Sequence, residues 1–254
     1  MTNAPVSERR AEATKIALLM TRPQEASLRF VAQLPAELQA QLEVIYAPLM
    51  RIRALDVTVD FDGYKGVVFS SANGVLAAGQ APASLPAFCV GQRTTKAAEQ
   101  AGWRAQCCGA TAAELIVYLC DARPATPLLH LHGRHTRGDI AQSLTAAGLL
   151  CEGQTIYEQQ LLALTGEVAQ KIQAQDRVIA PLFSPRTARH FASLGLDQVN
   201  LSLIALSQAV AVELKGLNYK DLQVSKTPDA HSMSVMVRDA AVRLAHLEGG
   251  KPAQ

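Results

Sequence analysis

The chain has 254 residues, 49% of them apolar and 18% charged, and its 24 Lys+Arg against 22 Asp+Glu leave a formal net charge of +2. This balance excludes a disordered chain and the strongly basic profile of a dedicated nucleic-acid binder, and at roughly 150 residues per domain the length suits one large domain or two small ones. Apolar runs such as Ile16 to Met20 fall far short of the ~20 residues a membrane span needs, and Met1 to Ala13 lacks a signal peptide's apolar centre, so the expected location is cytoplasmic, with no membrane and no nucleic-acid partner.

Taken in chain order, the polar residues 1–13 read as a disordered tail. Ile16 to Met20 is a short apolar run that reads as a buried strand, and it ends in the turn Thr21-Arg22-Pro23. Gly66 to Phe69 repeats the pattern and ends in Ser70-Ser71-Ala72-Asn73. A helix follows Gly91 and stops at Gly102, and Thr111 with Glu114 makes a capping box for another. Leu128 to His132 is a third strand with the tip Gly133-Arg134; Asp139 and Gln142 then open a helix whose buried face is Ile140, Leu144 and Ala147, ended by Gly148. Val178 to Phe183 is a fourth strand, followed by Ser184 as N-cap and Pro185 at the first helical position, with Gly195 and Gly216 marking later helix ends. Residues 249–254 read as a second disordered tail. Strands alternating with helices predict an α/β fold with parallel sheets, whose carboxyl edge is where ligands bind.

The sequence also echoes itself. Val68-Phe69-Ser70-Ser71 returns as Leu182-Phe183-Ser184-Pro185, and Phe88 to Thr94 returns as Ile204 to Val210. A second pair joins Ile16 to Arg22, ending near Tyr46, with Leu128 to Arg134, ending near Tyr157. The order A, B, A′, B′ predicts two similar α/β domains with a cleft between them, built either as A with B and A′ with B′ or in the interleaved way.

Arg22, Arg93, Arg134, Arg137 and Arg186 all fall in turns after predicted strands. With unpaired N–H groups at helix N-termini, they predict a carboxyl edge that attracts carboxylates or phosphates, the alternative being solvated loop charges. His130, His132 and His135 are spaced temptingly for a metal, but no carboxylate or cysteine stands at ligand spacing. The five cysteines show no C-x-x-C spacing and read as small buried hydrophobes. Ser70, Ser71 and Ser184 lie outside any G-x-S-x-G elbow and read as caps; Gly91 lacks the companions of a dinucleotide loop. No metal or organic cofactor is signalled, and the reading from residues alone is a two-domain cleft for a polyanion.

Thr21-Arg22-Pro23, Phe69-Ser70-Ser71, Val90-Gly91-Gln92-Arg93-Thr94, Gly133 to Arg137, Thr155-Ile156-Tyr157 and Phe183-Ser184-Pro185, in this order, resemble the motifs of uroporphyrinogen-III synthases over almost the whole chain. The resemblance implies two flavodoxin-like, doubly wound parallel-sheet domains in the interleaved arrangement, 14–49 plus 162–248 and 50–161, joined by a two-stranded hinge near Pro48 to Arg53 and Tyr157 to Ala163. It implies a monomeric, cofactor-free lyase that dehydrates and cyclises hydroxymethylbilane, a linear tetrapyrrole polycarboxylate, with inversion of ring D to give uroporphyrinogen III. On this reading Tyr157 is the proton donor to the departing hydroxyl, against the simpler role of a packed hinge tyrosine. The substrate would be held by Thr21, Arg22, Ser70, Ser71, Gly91, Thr94, Gly133, Arg134, Arg137, Ser184, Pro185 and Ser207. One departure stands out: the second G-x-x-T turn is Ser207-Gln-Ala-Val210, which lacks both the glycine and the hydroxyl. The competing reading is a non-catalytic two-lobed protein that binds a small polyanion.

Overall fold

The computed structural model describes residues 15–82, 85–135 and 138–246. The elements run β1 (Ile16–Met20), α1 (Gln24–Val31), α2 (Ala36–Gln41), β2 (Leu42–Tyr46), β3 (Met50–Ala54), β4 (Gly66–Phe69), α3 (Ala72–Ala78), β5 (Pro86–Cys89), α4 (Gly91–Gln100), β6 (Arg104–Cys107) and α5 (Ala112–Ala122). They continue through β7 (Leu128–Gly133), α6 (Ile140–Ala146), β8 (Cys151–Leu161), α7 (Gly166–Gln173), β9 (Val178–Leu182), α8 (Pro185–Ala192), β10 (Leu201–Ala205), α9 (Gln208–Val212), β11 (Asp221–Val224) and α10 (Ala230–His246).

Two compact units result, one from Met1–Met50 with Leu161–Gln254 and the other from Arg51–Gln160. The first has a sheet ordered β11-β10-β9-β1-β2 and the second a sheet ordered β3-β8-β7-β4-β5-β6. The strand neighbours therefore pair A with B′ and B with A′, the interleaved choice. In both sheets the chain winds outward in two directions from a central pair, β9 with β1 and β4 with β7, which is the doubly wound topology.

Each sheet is covered on both faces, which explains why β1, β4 and β9 are apolar throughout rather than alternating. In the first unit, Leu18 and Met20 pack with Phe30, Met233 and Val237 of α1 and α10, while Leu19 and Ala180 pack with Ile172, Phe191 and Val210 of α7, α8 and α9. In the second, Val67 and Phe69 pack with Val75, Ala98 and the buried Trp103, and Val68 and Leu128 pack with Leu115, Leu119 and Leu144 of α5 and α6.

The expected strands Ile16 to Met20 and Gly66 to Phe69 form within those bounds, the third runs one residue further to Gly133, and the fourth stops one residue earlier, leaving Phe183 in the turn. Thr111, Asp139 and Ser184 cap their helices through side-chain oxygens, accepting from the N–H groups of Glu114, Gln142 and Thr187. Ala147 departs from expectation: it is the exposed C-cap of α6, and Ala141 takes its place on the buried face with Ile140 and Leu144. A helix of two turns ends before its i+7 position returns to the sheet.

Candidate functional site

In the second unit the central strands β4 and β7 end side by side, and several of the anticipated residues gather there. Ser71 caps α3 by accepting from Asn73 N at 3.2 Å. Ser70 does not cap, contrary to its expected role; its hydroxyl lies 3.1 Å from Nε2 of the buried His130. Gly91 opens α4 at φ +75°, a conformation that favours glycine, in open space where a Cβ would meet nothing. Its N–H donates to Gly109 O at 2.7 Å, so this helix-end amide is not available to an anion as expected, and at the tip of β7 the Arg134 N–H donates to Tyr157 O at 2.9 Å. Thr94 is buried one turn further along α4.

Tyr157 owes its position to an irregularity in the β7–β8 ladder. His132 pairs with Thr155, but Gly133 pairs with Tyr157, leaving Ile156 as the extra residue of a bulge. A regular strand sends successive side chains to opposite faces; here Ile156 and Tyr157 are both buried in one cluster with Phe69 and Leu131. The phenol ring, in a residue only 5% exposed, covers Gly133 so closely that a Cβ there would come within 2.5 Å of Cε2 and 3.0 Å of the hydroxyl oxygen. Next along β8, Glu158 faces two guanidinium groups, Arg53 and Arg134, each at 3.6 Å. Arg134 is therefore part of an ion-pair network at this edge.

His130 and His132 stack with ring centroids 4.9 Å apart, and His132 Nδ1 lies 2.9 Å from Gly133 O. Burial, with a smaller contribution from His132, holds the His130 imidazole down at a pKa of about 4, so it is neutral at neutral pH. The described residues contain no group of three His, Cys, Asp or Glu arranged to hold a metal ion.

The corresponding edge of the first unit is built differently. The β1–β2 register runs without interruption to Met20 opposite Tyr46. Thr21 is buried, and the Arg22 guanidinium lies over the Phe183 ring at 4.1 Å from its centroid, a cation–π contact across the β1–β9 pair. Phe183 is braced edge-on by Phe30 at 5.1 Å. Ser184 accepts from Thr187 N and donates to Thr187 Oγ1 at 2.8 Å, with Pro185 opening α8. Ser207 stands before α9 at φ −160° without capping it through its side chain, and Val210 is buried in the core. The two replaced residues of the second G-x-x-T turn are thus an extended serine and a packing valine.

The N-caps also correct the sequence echo. Ser71 and Ser184 are the equivalent caps, so the counterpart of Ser70 is Phe183. Arg137 lies outside the described residues. Sequence reasoning missed three contributors: Phe183 as the platform for Arg22, His130 as the partner of Ser70, and Glu158 as the counter-ion of Arg134. The only available signal for the last was an acidic residue directly after Tyr157.

A family model described as uroporphyrinogen-III synthase HemD matches residues 31–234, four-fifths of the sequence. The chain belongs to the uroporphyrinogen-III synthase family. The crystal structure of uroporphyrinogen-III synthetase from Helicobacter pylori has a TM-score of 0.63 at 13% identity, covering 89% of this chain and 100% of that one, and it shows the shared two-domain α/β fold. A uroporphyrinogen III synthase mutant from Thermus thermophilus covers 90% of this chain and 99% of its own at 14% identity, with a TM-score of 0.47. No curated protein is a significant sequence match. Membership favours the enzyme over the non-catalytic binder: this is a lyase of tetrapyrrole, haem-forming biosynthesis, acting on a small-molecule substrate. No helix among the described residues is long and apolar enough to cross a membrane.

Proposed function

We propose that the carboxyl edges of the two sheets carry the family reaction, the closure of hydroxymethylbilane to uroporphyrinogen III. The observation that supports this most directly is the β7–β8 bulge, which turns Tyr157 onto Gly133 at the point where the second sheet reverses its winding. In this reading the Tyr157 hydroxyl assists the break of the hydroxymethyl C–O bond, so that water leaves and a cationic azafulvene remains. The substituted carbon of ring D then attacks that azafulvene; the spiro intermediate breaks that carbon's original bond to the ring C methylene, the freed methylene bonds the unsubstituted carbon of ring D, and the proton lost there restores the phenol as the type III ring forms. Proton transfer accounts for one part of the barrier, and holding the bilane curled accounts for the other.

Holding falls to groups that recognise acetate and propionate arms. Arg22 on its Phe183 platform and Arg134 beside Glu158 present guanidinium forks, and Ser70, Ser71, Thr94 and Ser184 present hydroxyls. Thr21, Pro185 and Ser207 shape the backbone of the first edge, and Gly91 and Gly133 that of the second. Arg137 belongs to the proposed arginine set by its sequence position.

We further propose that the enzyme works as a cytoplasmic monomer without nucleic-acid or membrane partners, in keeping with its near-neutral charge of +2. Sedimentation at a mass of 27.1 kDa supports the monomer, and a dimer's mass refutes it. The functional test is incubation with hydroxymethylbilane followed by oxidation and separation of porphyrin isomers. Type III product is expected; the type I ring, formed spontaneously, would instead leave a protein that binds without turning over.

A further inference from the structure

The second sheet carries a histidine where its fold offers an apolar slot. His130 pairs in register with Val68 and shares a face with Leu128, the face covered by α5 and α6, and it is 3% exposed. In the first sheet the same face of β1 is filled by the wholly buried, apolar Leu18 and Met20. An imidazole buried among apolar side chains costs several kcal/mol unless it is hydrogen-bonded. Here Nε2 meets Ser70 Oγ at 3.1 Å, and Ser70 itself is only half-buried at the strand tip.

A neutral imidazole has one N–H and one lone pair, so its tautomer decides which way the serine hydroxyl points. If Nε2 accepts, Ser70 spends its proton inward and turns lone pairs toward any incoming carboxylate, which repels it. If Nε2–H donates, the serine proton faces outward. We propose that His130 is a positioning residue for substrate, donating Nε2–H to Ser70 Oγ so that the Ser70 O–H is left to donate to a substrate carboxylate. The groups that bear on its charge are few: His132 stacked above it, which disfavours protonation, and Asp139 at the N-cap of α6, which favours it. Burial and His132 act together and outweigh Asp139, which keeps the ring neutral at neutral pH.

The inference rests on the reading that Ser70 holds a carboxylate arm, and a double-mutant cycle separates the two. Steady-state kinetics with hydroxymethylbilane are measured for Ser70→Ala, His130→Leu, His130→Gln and the Ser70→Ala/His130→Leu pair, with thermal melting alongside. Ser70→Ala is expected to raise KM about 10-fold, the size of one hydrogen bond to a charged group, with kcat little changed. His130→Leu raises KM by a similar factor, the double variant is no worse than either single one, and His130→Gln, whose amide can donate in place of Nε2–H, recovers most of the loss. A KM raised by Ser70→Ala but unchanged by His130→Leu, or effects that multiply in the double variant, overturns the positioning role alone. An unchanged KM in Ser70→Ala overturns the carboxylate assignment and the inference with it. If His130→Leu does not accumulate folded, His130→Met takes its place in the cycle with the same expectations.

Discussion

The two carboxyl edges share one winding order and solve it with different chemistry. At the first, an uninterrupted β1–β2 ladder leaves Met20 opposite Tyr46, and the turn residue before the helix cap is Phe183, which carries a guanidinium. At the second, a bulge puts Tyr157 on Gly133, and the residue before the cap is Ser70, hydrogen-bonded to a histidine. Gly91 sits at φ +75°, its counterpart Ser207 at −160°; Thr94 answers to Val210. A duplicated frame has thus diverged at its tips: the first edge carries a guanidinium on an aromatic platform, while the second carries the bulge, small residues and a buried phenol. Duplication conserves the topology because the core requires it, and leaves the strand tips free to diverge.

The sharpest way to break this contrast is Gly133→Val. Its Cβ would come within 2.5 Å of the Tyr157 ring, which cannot yield without disturbing Phe69 and Leu131. Overpacking of this kind costs about 1–3 kcal/mol in stability, read by thermal melting, and the displaced phenol is expected to lower kcat by more than ~10².

A second expectation concerns His130, which stands on a face that Leu18 and Met20 fill in the first sheet. The folded pKa of His130, about 4, lies below the ordinary 6.5, so the unfolded chain takes up a proton that the fold refuses between those values. Stability is therefore complete above about pH 6.5 and falls as the pH drops toward 4, by ~3 kcal/mol from this side chain. Denaturant midpoints across that range should slope in the wild type and flatten in His130→Leu; a persisting slope of equal size would remove His130 as its source.

Tyr157→Phe and Tyr46→Phe compare tyrosines on corresponding strands of the two units, one opposite Gly133 and the other opposite Met20. Loss of a general acid lowers kcat by roughly 10², while Tyr46→Phe is expected to be nearly silent. A slow variant that still makes type III has lost its proton donor and kept its template; equal near-wild-type rates in both would leave Tyr157 with a packing role. Smaller effects are expected from the arginines. Arg22→Ala should raise KM about 10-fold with little change in kcat, and added salt should weaken substrate binding, since partly exposed charges are screened over about 10 Å at 0.1 M ionic strength. Glu158→Gln, which frees Arg134 from an exposed pair worth at most about 1 kcal/mol, should lower KM by a factor of two to five.

Much of the fold was legible in the sequence because its signals are local. The apolar runs at Ile16 and Gly66, the capping residues Thr111, Asp139 and Ser184, and the echo between units all act within a few residues of where they are read. The bulge was not legible: nothing in Thr155-Ile156-Tyr157 announces that two neighbouring side chains turn to one face, since that depends on the partner strand. The Ser70–His130 bond joins residues 60 apart in sequence, and Arg22 on Phe183 joins segments farther apart still, so both emerge only once the strands are paired. The slip in the echo, Ser70 answering to Phe183, has the same origin: a short match of apolar and hydroxyl residues cannot tell which serine ends up capping.

The interleaved winding has a consequence for how the chain comes into being. The run Arg51–Gln160 is continuous and can complete its sheet as soon as it is synthesised, whereas β1, made first, borders β9, made more than 150 residues later. At typical translation rates of roughly 5–20 residues per second, the strand Ile16–Met20, all five residues of it buried in the finished sheet, waits for about 10–30 s with one edge unpaired. The unit built around β1 and β9 is thus the last to close, and β1 is the segment that a nascent-chain chaperone would have most reason to shelter.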